Sequence, residues 1–184
     1  MTDAKFCENM MKLRDRATRL IARRWVELKA WDVTTQARVL EWFGRRDEDI
    51  RQHLLQAFPK WLTALNNLTC ANFVRYTPAF GIAVGCTPAA PSGQAAAVCK
   101  SDTKSHTIAF TPEFCVLRDI SGGRDSQLSV LLHEITHFED VFGTADPYYF
   151  FSASKNAAMK DPDGVRKNAH TYAGYIVWDS HFHD

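Results

Sequence analysis

Two histidines stand four residues apart, at His133 and His137, inside an apolar stretch that includes Leu128, Val130, Leu131 and Leu132. Residues at that spacing share one face of an α-helix, so both imidazoles project from successive turns toward one point. A helix this rich in leucine is a buried helix, and two imidazoles on it need a task. The fold has to close around that pair. After the break Ser121-Gly-Gly-Arg124, Asp125 is placed to cap the helix, which is expected to run to about Val141.

The remaining chain is read around this helix. Its 184 residues are the size of one domain, here 1–184, and 46% apolar with 23% charged residues is a globular composition. Lys+Arg and Asp+Glu nearly balance, at 22 against 21, which argues against a nucleic-acid-binding surface. No window approaches 18 apolar residues, so no membrane partner or spanning helix is expected. The N-terminus has no apolar signal core. The expectation is a protein cytoplasmic in the producing cell and then exported by a route that uses no such signal.

Residues from about Asp3 to Ala30 predict a helix with Phe6, Met10, Leu13, Ala17, Leu20 and Ile21 on one stripe. The basic run Lys12, Arg14, Arg16, Arg19, Arg23 and Arg24 reads as its solvated face. A second helix is predicted from Thr34 to Phe43, stopped by Gly44. A third is predicted from Asp47 to Leu65, with Pro59 expected to kink or end it. After Asn67 the texture changes. Phe73–Tyr76, Gly81–Val84, Ala95–Cys99 and His106–Phe110 are short β-compatible runs, read as a small antiparallel sheet or hairpins, with a loop over Pro88–Gly93. Asp161-Pro162 resembles a helix start, and that last helix is expected to reach about Trp178. Helices, strands, then helices make an α+β fold, with 1–66 as a helical part and 67–184 as sheet plus site helices. His53 and His106 read as surface residues, and His181 and His183 as part of a frayed terminus.

His133-Glu134-Ile135-Thr136-His137 is the HExxH pattern of zinc hydrolases. The imidazoles hold one Zn²⁺, and Glu134 reaches a water on that metal. A catalytic zinc takes a third protein ligand. Glu139 falls on the wrong side of the helix. Asp140 is poorly aimed from the same helix, and its identity also breaks the extended HxxGxxH pattern. Asp146 lies nine residues past His137 and follows Gly143-Thr-Ala, where the glycine lets the chain leave the helix and turn back. Spacing therefore names Asp146. The five cysteines show no CxxC spacing. Cys86 and Cys99 could close a hairpin, all five could stay reduced, and at least one thiol lacks an intramolecular partner.

His133-Glu-Ile-Thr-His137 followed by Gly143-Thr-Ala-Asp146-Pro-Tyr-Tyr149 resembles the aspzincin signature of the deuterolysin and peptidyl-lysine metalloendopeptidase family. Asp125-Ser-Gln, Asp161-Pro-Asp163, Asn168-Ala169 and Tyr172 resemble further family positions, as does Glu41-Trp42-Phe43-Gly44. The resemblance implies a zincin-like fold and a monomeric zinc endopeptidase acting on proteins or peptides. It implies zinc on His133, His137 and Asp146, Glu134 as general base, and Tyr149 as donor to the substrate oxyanion. Phe150 stands where the family usually has glycine. The positions matching the acidic pocket residues of lysine-specific members are His170 and Ala173, so no lysine-selecting acid is implied there. Thr111, with Cys115 nearby, stands where the family places a bridging cysteine. Family members are typically secreted, which fits an exported effector or toxin with a secretion-machine or inhibitor partner. The alternatives are a catalytically silent zinc-stabilised binding module and a zinc amidase acting on cell-wall peptides.

Overall fold

The computed structural model describes residues 1–77, 79–80, 85–86 and 93–178. The strand expected at Gly81–Val84, most of the loop expected at Pro88–Gly93, and His181 and His183 lie outside the described residues.

Helix α1 (Asp3–Ala30) starts at Thr2, whose hydroxyl accepts from Lys5 N at 3.3 Å, and stops where Trp31 turns left-handed. Its buried face is the expected stripe, extended to Leu28. Arg24 departs from the solvated basic face: it is buried and pairs with Glu27 at 2.8 Å. Helix α2 (Val33–Phe43) is capped by Asp32 and α3 (Glu48–Asn67) by Asp47. Helix α3 continues through Pro59. Burial of Ile50, Leu54, Phe58, Trp61 and Leu65 on the face it presents to the core outweighs one missing helical hydrogen bond.

Strands β1 (Phe73–Arg75), β2 (Ala96–Val98) and β3 (Ile108–Phe110) form one sheet in the order β1-β3-β2. The sheet is mixed, not antiparallel. Phe73 pairs with Ile108 in a parallel register, whereas Ala96 pairs with Phe110 in an antiparallel one. The connection from β2 to β3 is short and reverses the chain; β1 reaches β3 only after a long excursion that restores its direction. β3 is central and buried throughout, and β2 lies at an edge.

Four short or medium helices follow, α4 (Pro112–Val116), α5 (Gln127–Thr136), α6 (Phe151–Ala158) and α7 (Pro162–Val165), and then α8 (Ala169–Val177). The long last helix expected from Asp161 is thus two helices. The break at 166–168 frees backbone that pairs with Ala145. Every residue of α8 is buried. Trp42 lies against Gly174, where any Cβ would meet the indole ring at 2.1 Å, so α2 and α8 approach closely only because that residue is glycine. Edge-to-face contacts Phe43–Tyr172, Phe58–Tyr175 and Trp61–Phe142 join α2, α3 and α8 with the turn after α5. Two disulfides, Cys7–Cys70 and Cys86–Cys99, staple the sheet region, and Cys115 is free and exposed. No helix among the described residues is long and apolar enough to cross a membrane.

His53 and His106 are partly buried, against the surface expectation. His106 pairs with Asp140 at 3.0 Å. His53 accepts from Arg166 at Nδ1 (3.3 Å) and meets the Tyr172 hydroxyl at Nε2 (2.9 Å), while that hydroxyl donates to Arg166 O. This chain of bonds needs a neutral ring. Burial, with the Arg166 charge beside it, pushes the His53 pKa down from 6.5 to about 4. The unfolded chain therefore binds a proton that the folded chain refuses. The stability contribution is complete above pH 6.5 and declines as pH falls toward 4. Melting temperatures across that window should fall with pH, and His53→Gln should flatten the slope; an unchanged slope contradicts the assignment.

Candidate active site

Helix α5 begins one residue later than expected. Ser126, not Asp125, is its cap: Ser126 Oγ accepts from Ser129 N at 3.2 Å, and Ser126 N donates to Ser129 Oγ at 2.9 Å. Leu128, Leu131, Leu132 and Ile135 bury its inner face. The helix ends at Thr136, not near Val141. His137 N donates to Glu134 O at 3.1 Å in a tightened last turn. Gly143, with φ +62°, then lets its N–H donate to Phe138 O at 2.9 Å. Thr144 comes back onto the helix end: its N donates to Thr136 O at 3.1 Å, and the two hydroxyls meet at 2.8 Å.

The next three residues are held from the opposite side. Ala145 N donates to Lys167 O at 2.7 Å, and Ala169 N donates to Ala145 O at 3.0 Å. The Asn168 side chain secures the joint, accepting from Tyr148 N and donating to Ser154 and Thr171 hydroxyls. Asp146 and His170, which flank this bridge, are thereby carried to the two histidines of α5.

Nε2 of His133 and Nε2 of His137 are 3.0 Å apart; the first lies 3.3 Å from Oδ1 of Asp146 and the second 3.3 Å from its Oδ2. Donors about 2.0–2.1 Å from a tetrahedral zinc are about 3.3–3.4 Å from one another. These spacings suit that ion, and two borderline imidazoles with one hard carboxylate are a donor set that zinc takes. Nδ1 of His137 donates to Thr144 O at 3.0 Å, which fixes the tautomer and leaves Nε2 free to ligate. Lys100 Nζ donates to the same carbonyl. Spacing missed Thr144, Lys100 and Asn168. Thr144 sits inside the Gly-Thr-Ala-Asp run that was singled out, but Lys100 reaches across 44 residues, and local pattern carries no sign of it.

The charges are coupled. Burial drives the His133 pKa well below 6.5, helped by His137 and His170. Burial also raises the Glu134 carboxyl to about 7. Burial would raise Asp146 too, but His137 and His170 on its oxygens hold it far below the usual carboxylate range. Despite the cost of its burial, the His137 pKa is raised by Asp146 and Glu134. A cation is what such a cluster accommodates best.

These groups line a cleft of about 550 Å³ together with β2 and with Tyr149, Phe150 and Phe151. Ala173 and His170 line it as well. The two neighbouring tyrosines differ in use. Tyr148 donates to Asp161 at 2.5 Å, a structural tie, whereas Tyr149 is 48% exposed on the cleft with its ring 5.2 Å from that of His170.

Residues 29–177 match the family of lysine-specific metallo-endopeptidases, the aspzincins. The chain belongs to the aspzincin family. This aspzincin is accordingly a zinc metalloendopeptidase. Its fold is similar to that of a zinc peptidase from Grifola frondosa, with a TM-score of 0.73 over 96% of both chains at 20% identity. No curated protein sequence matches the chain.

Phe150 is the strained position of the aspzincin cleft. Its φ of 67° with ψ of 151° lies at the border of a region that only glycine occupies readily, and its ring is 61% exposed. Phe150→Gly should stabilise the fold by about 1 kcal/mol, the release of about 1–3 kcal/mol of strain less the roughly 0.5–1 kcal/mol of chain entropy that glycine adds to the unfolded state, a rise of a few degrees in melting temperature. A fall in melting temperature contradicts the strain.

Proposed function

We propose that this aspzincin hydrolyses peptide bonds with zinc held by His133, His137 and Asp146, Glu134 as general base and Tyr149 as oxyanion donor. One observation carries the reading: the buried Glu134 carboxylate stands beside the donor triangle, 4.0 Å from His133 Nε2, and opens on the cleft. Zinc bound there lowers the pKa of water and polarises the scissile carbonyl. Glu134 takes the proton of the attacking water and passes it to the leaving amine. The Tyr149 hydroxyl donates to the carbonyl oxygen as charge develops on it. The β2 edge along the cleft offers backbone groups to an extended substrate.

His170 and Ala173 bring no carboxylate to the positions expected to select lysine, so cleavage under this reading is not directed by lysine. Export remains the localisation it favours, and two disulfides support a working place in an oxidising compartment.

Glu134→Gln should retain zinc and lose about 10²–10⁴-fold in turnover of an unfolded protein such as casein. Full activity in that variant contradicts the mechanism. Asp146→Ala should weaken zinc binding by more than the roughly 10–100-fold that outer-sphere changes cost. Sequencing the products of a peptide library reads the specificity, and zinc-loaded protein that leaves the library intact would favour a binding module instead.

A further inference from the structure

His170 is 9% exposed at the start of α8, yet its Nδ1 is buried with no hydrogen-bond partner. Oδ1 of Asp146, 3.3 Å from His133 Nε2, is likewise buried without a hydrogen bond. The two atoms face each other at 3.8 Å, beyond hydrogen-bond reach. Other buried side-chain atoms lack hydrogen bonds too, among them three indole nitrogens, but among the described residues only these two converge on one point, which calls for a shared ligand. Both atoms bear lone pairs that a cation satisfies together. The His170 ring also lies 4.4 Å from that of His133, and donor atoms of His133, Asp146 and His170 all fall within 4.8 Å of one another.

We propose that His170 Nδ1 is a fourth protein ligand of the metal in the substrate-free protein, closing the site with three imidazoles and one carboxylate. The inference rests on the zinc site proposed above. The backbone carries it as well: the bridge between Ala145 and Asn168 presents Asp146 and His170 from adjacent strands of chain. Four protein ligands close a tetrahedral zinc, whereas catalysis needs an open position. Release of His170 therefore opens the site, and the ring moves against its cleft neighbours Tyr149 and Phe151, with centroids at 5.2 and 6.4 Å. The resting protein would be held inactive by its own side chain until substrate in the cleft displaces the ring and leaves that position to the attacking water.

X-ray absorption on the zinc-loaded full chain tests this without a variant. Three imidazoles in the resting protein support the inference; two imidazoles with an added light oxygen ligand overturn it. Chelator competition provides the second readout, in which His170→Phe should weaken zinc retention by about tenfold or more. Unchanged retention with the variant folded overturns the inference. A wild-type chain that holds no zinc at all overturns the underlying zinc site as well, which separates the two failures.

Discussion

The chain reversal between Thr136 and Ala145 is the constraint on which the site depends. One helix can supply two imidazoles to a metal but not a third donor from a useful direction. Had α5 continued, the nearest carboxylates would have been Glu139 and Asp140, which point elsewhere; Asp140 is in fact occupied with His106 at the entrance to β3. The reversal needs a left-handed residue, which Gly143 supplies. It also needs anchors on both flanks, which Thr144 finds on Thr136 and Ala145 finds on the 167–169 backbone. The same carbonyl of Thr144 that ends this turn also fixes the His137 tautomer. Chain path and ligand chemistry are thus set by one small group of hydrogen bonds.

Much of this was legible in the sequence where a local rule was sufficient. The limits of α1 followed from a long apolar stripe, and His133 and His137 followed from helical spacing. Asp146 followed from counting past a glycine. The misses share a physical cause, which is competition from distant chain. Ser126 displaced Asp125 as cap because Ser129 could reciprocate. The last helix broke because Ala145 takes the 167–169 backbone into a bridge. The sheet became mixed because β1 pairs across a long insertion. His53 and Lys100 were unreadable because their partners lie 119 and 44 residues away. Residues alone did not separate Tyr149 from Tyr148; the resemblance named Tyr149, and Tyr148 donates to Asp161.

Some departures from local consistency lie at the cleft. Helices α1, α2, α3, α5 and α7 are capped by side chains, and α1, α3 and α8 bury apolar faces against one another. Around the cleft are a phenylalanine at positive φ, two carboxyl groups and three imidazoles of low exposure, and a buried His170 nitrogen without a hydrogen bond. Such concentrations of strain and unsatisfied polarity persist only where the surrounding fold over-determines them, and they mark where chemistry is done. The all-buried helix α8 and the aromatic contacts behind it provide that rigidity, while the exposed Tyr149 and Phe150 of the cleft are free to meet substrate.

The central claim is that one zinc, held by α5 and the reversed chain, carries the peptidase activity. The most direct test strips the metal with a chelator and titrates zinc back while casein cleavage is followed. Activity should vanish on stripping, return in proportion to added zinc, and level off at one zinc per chain. Cleavage that survives complete metal removal, or that rises without a break at one equivalent, would contradict the account.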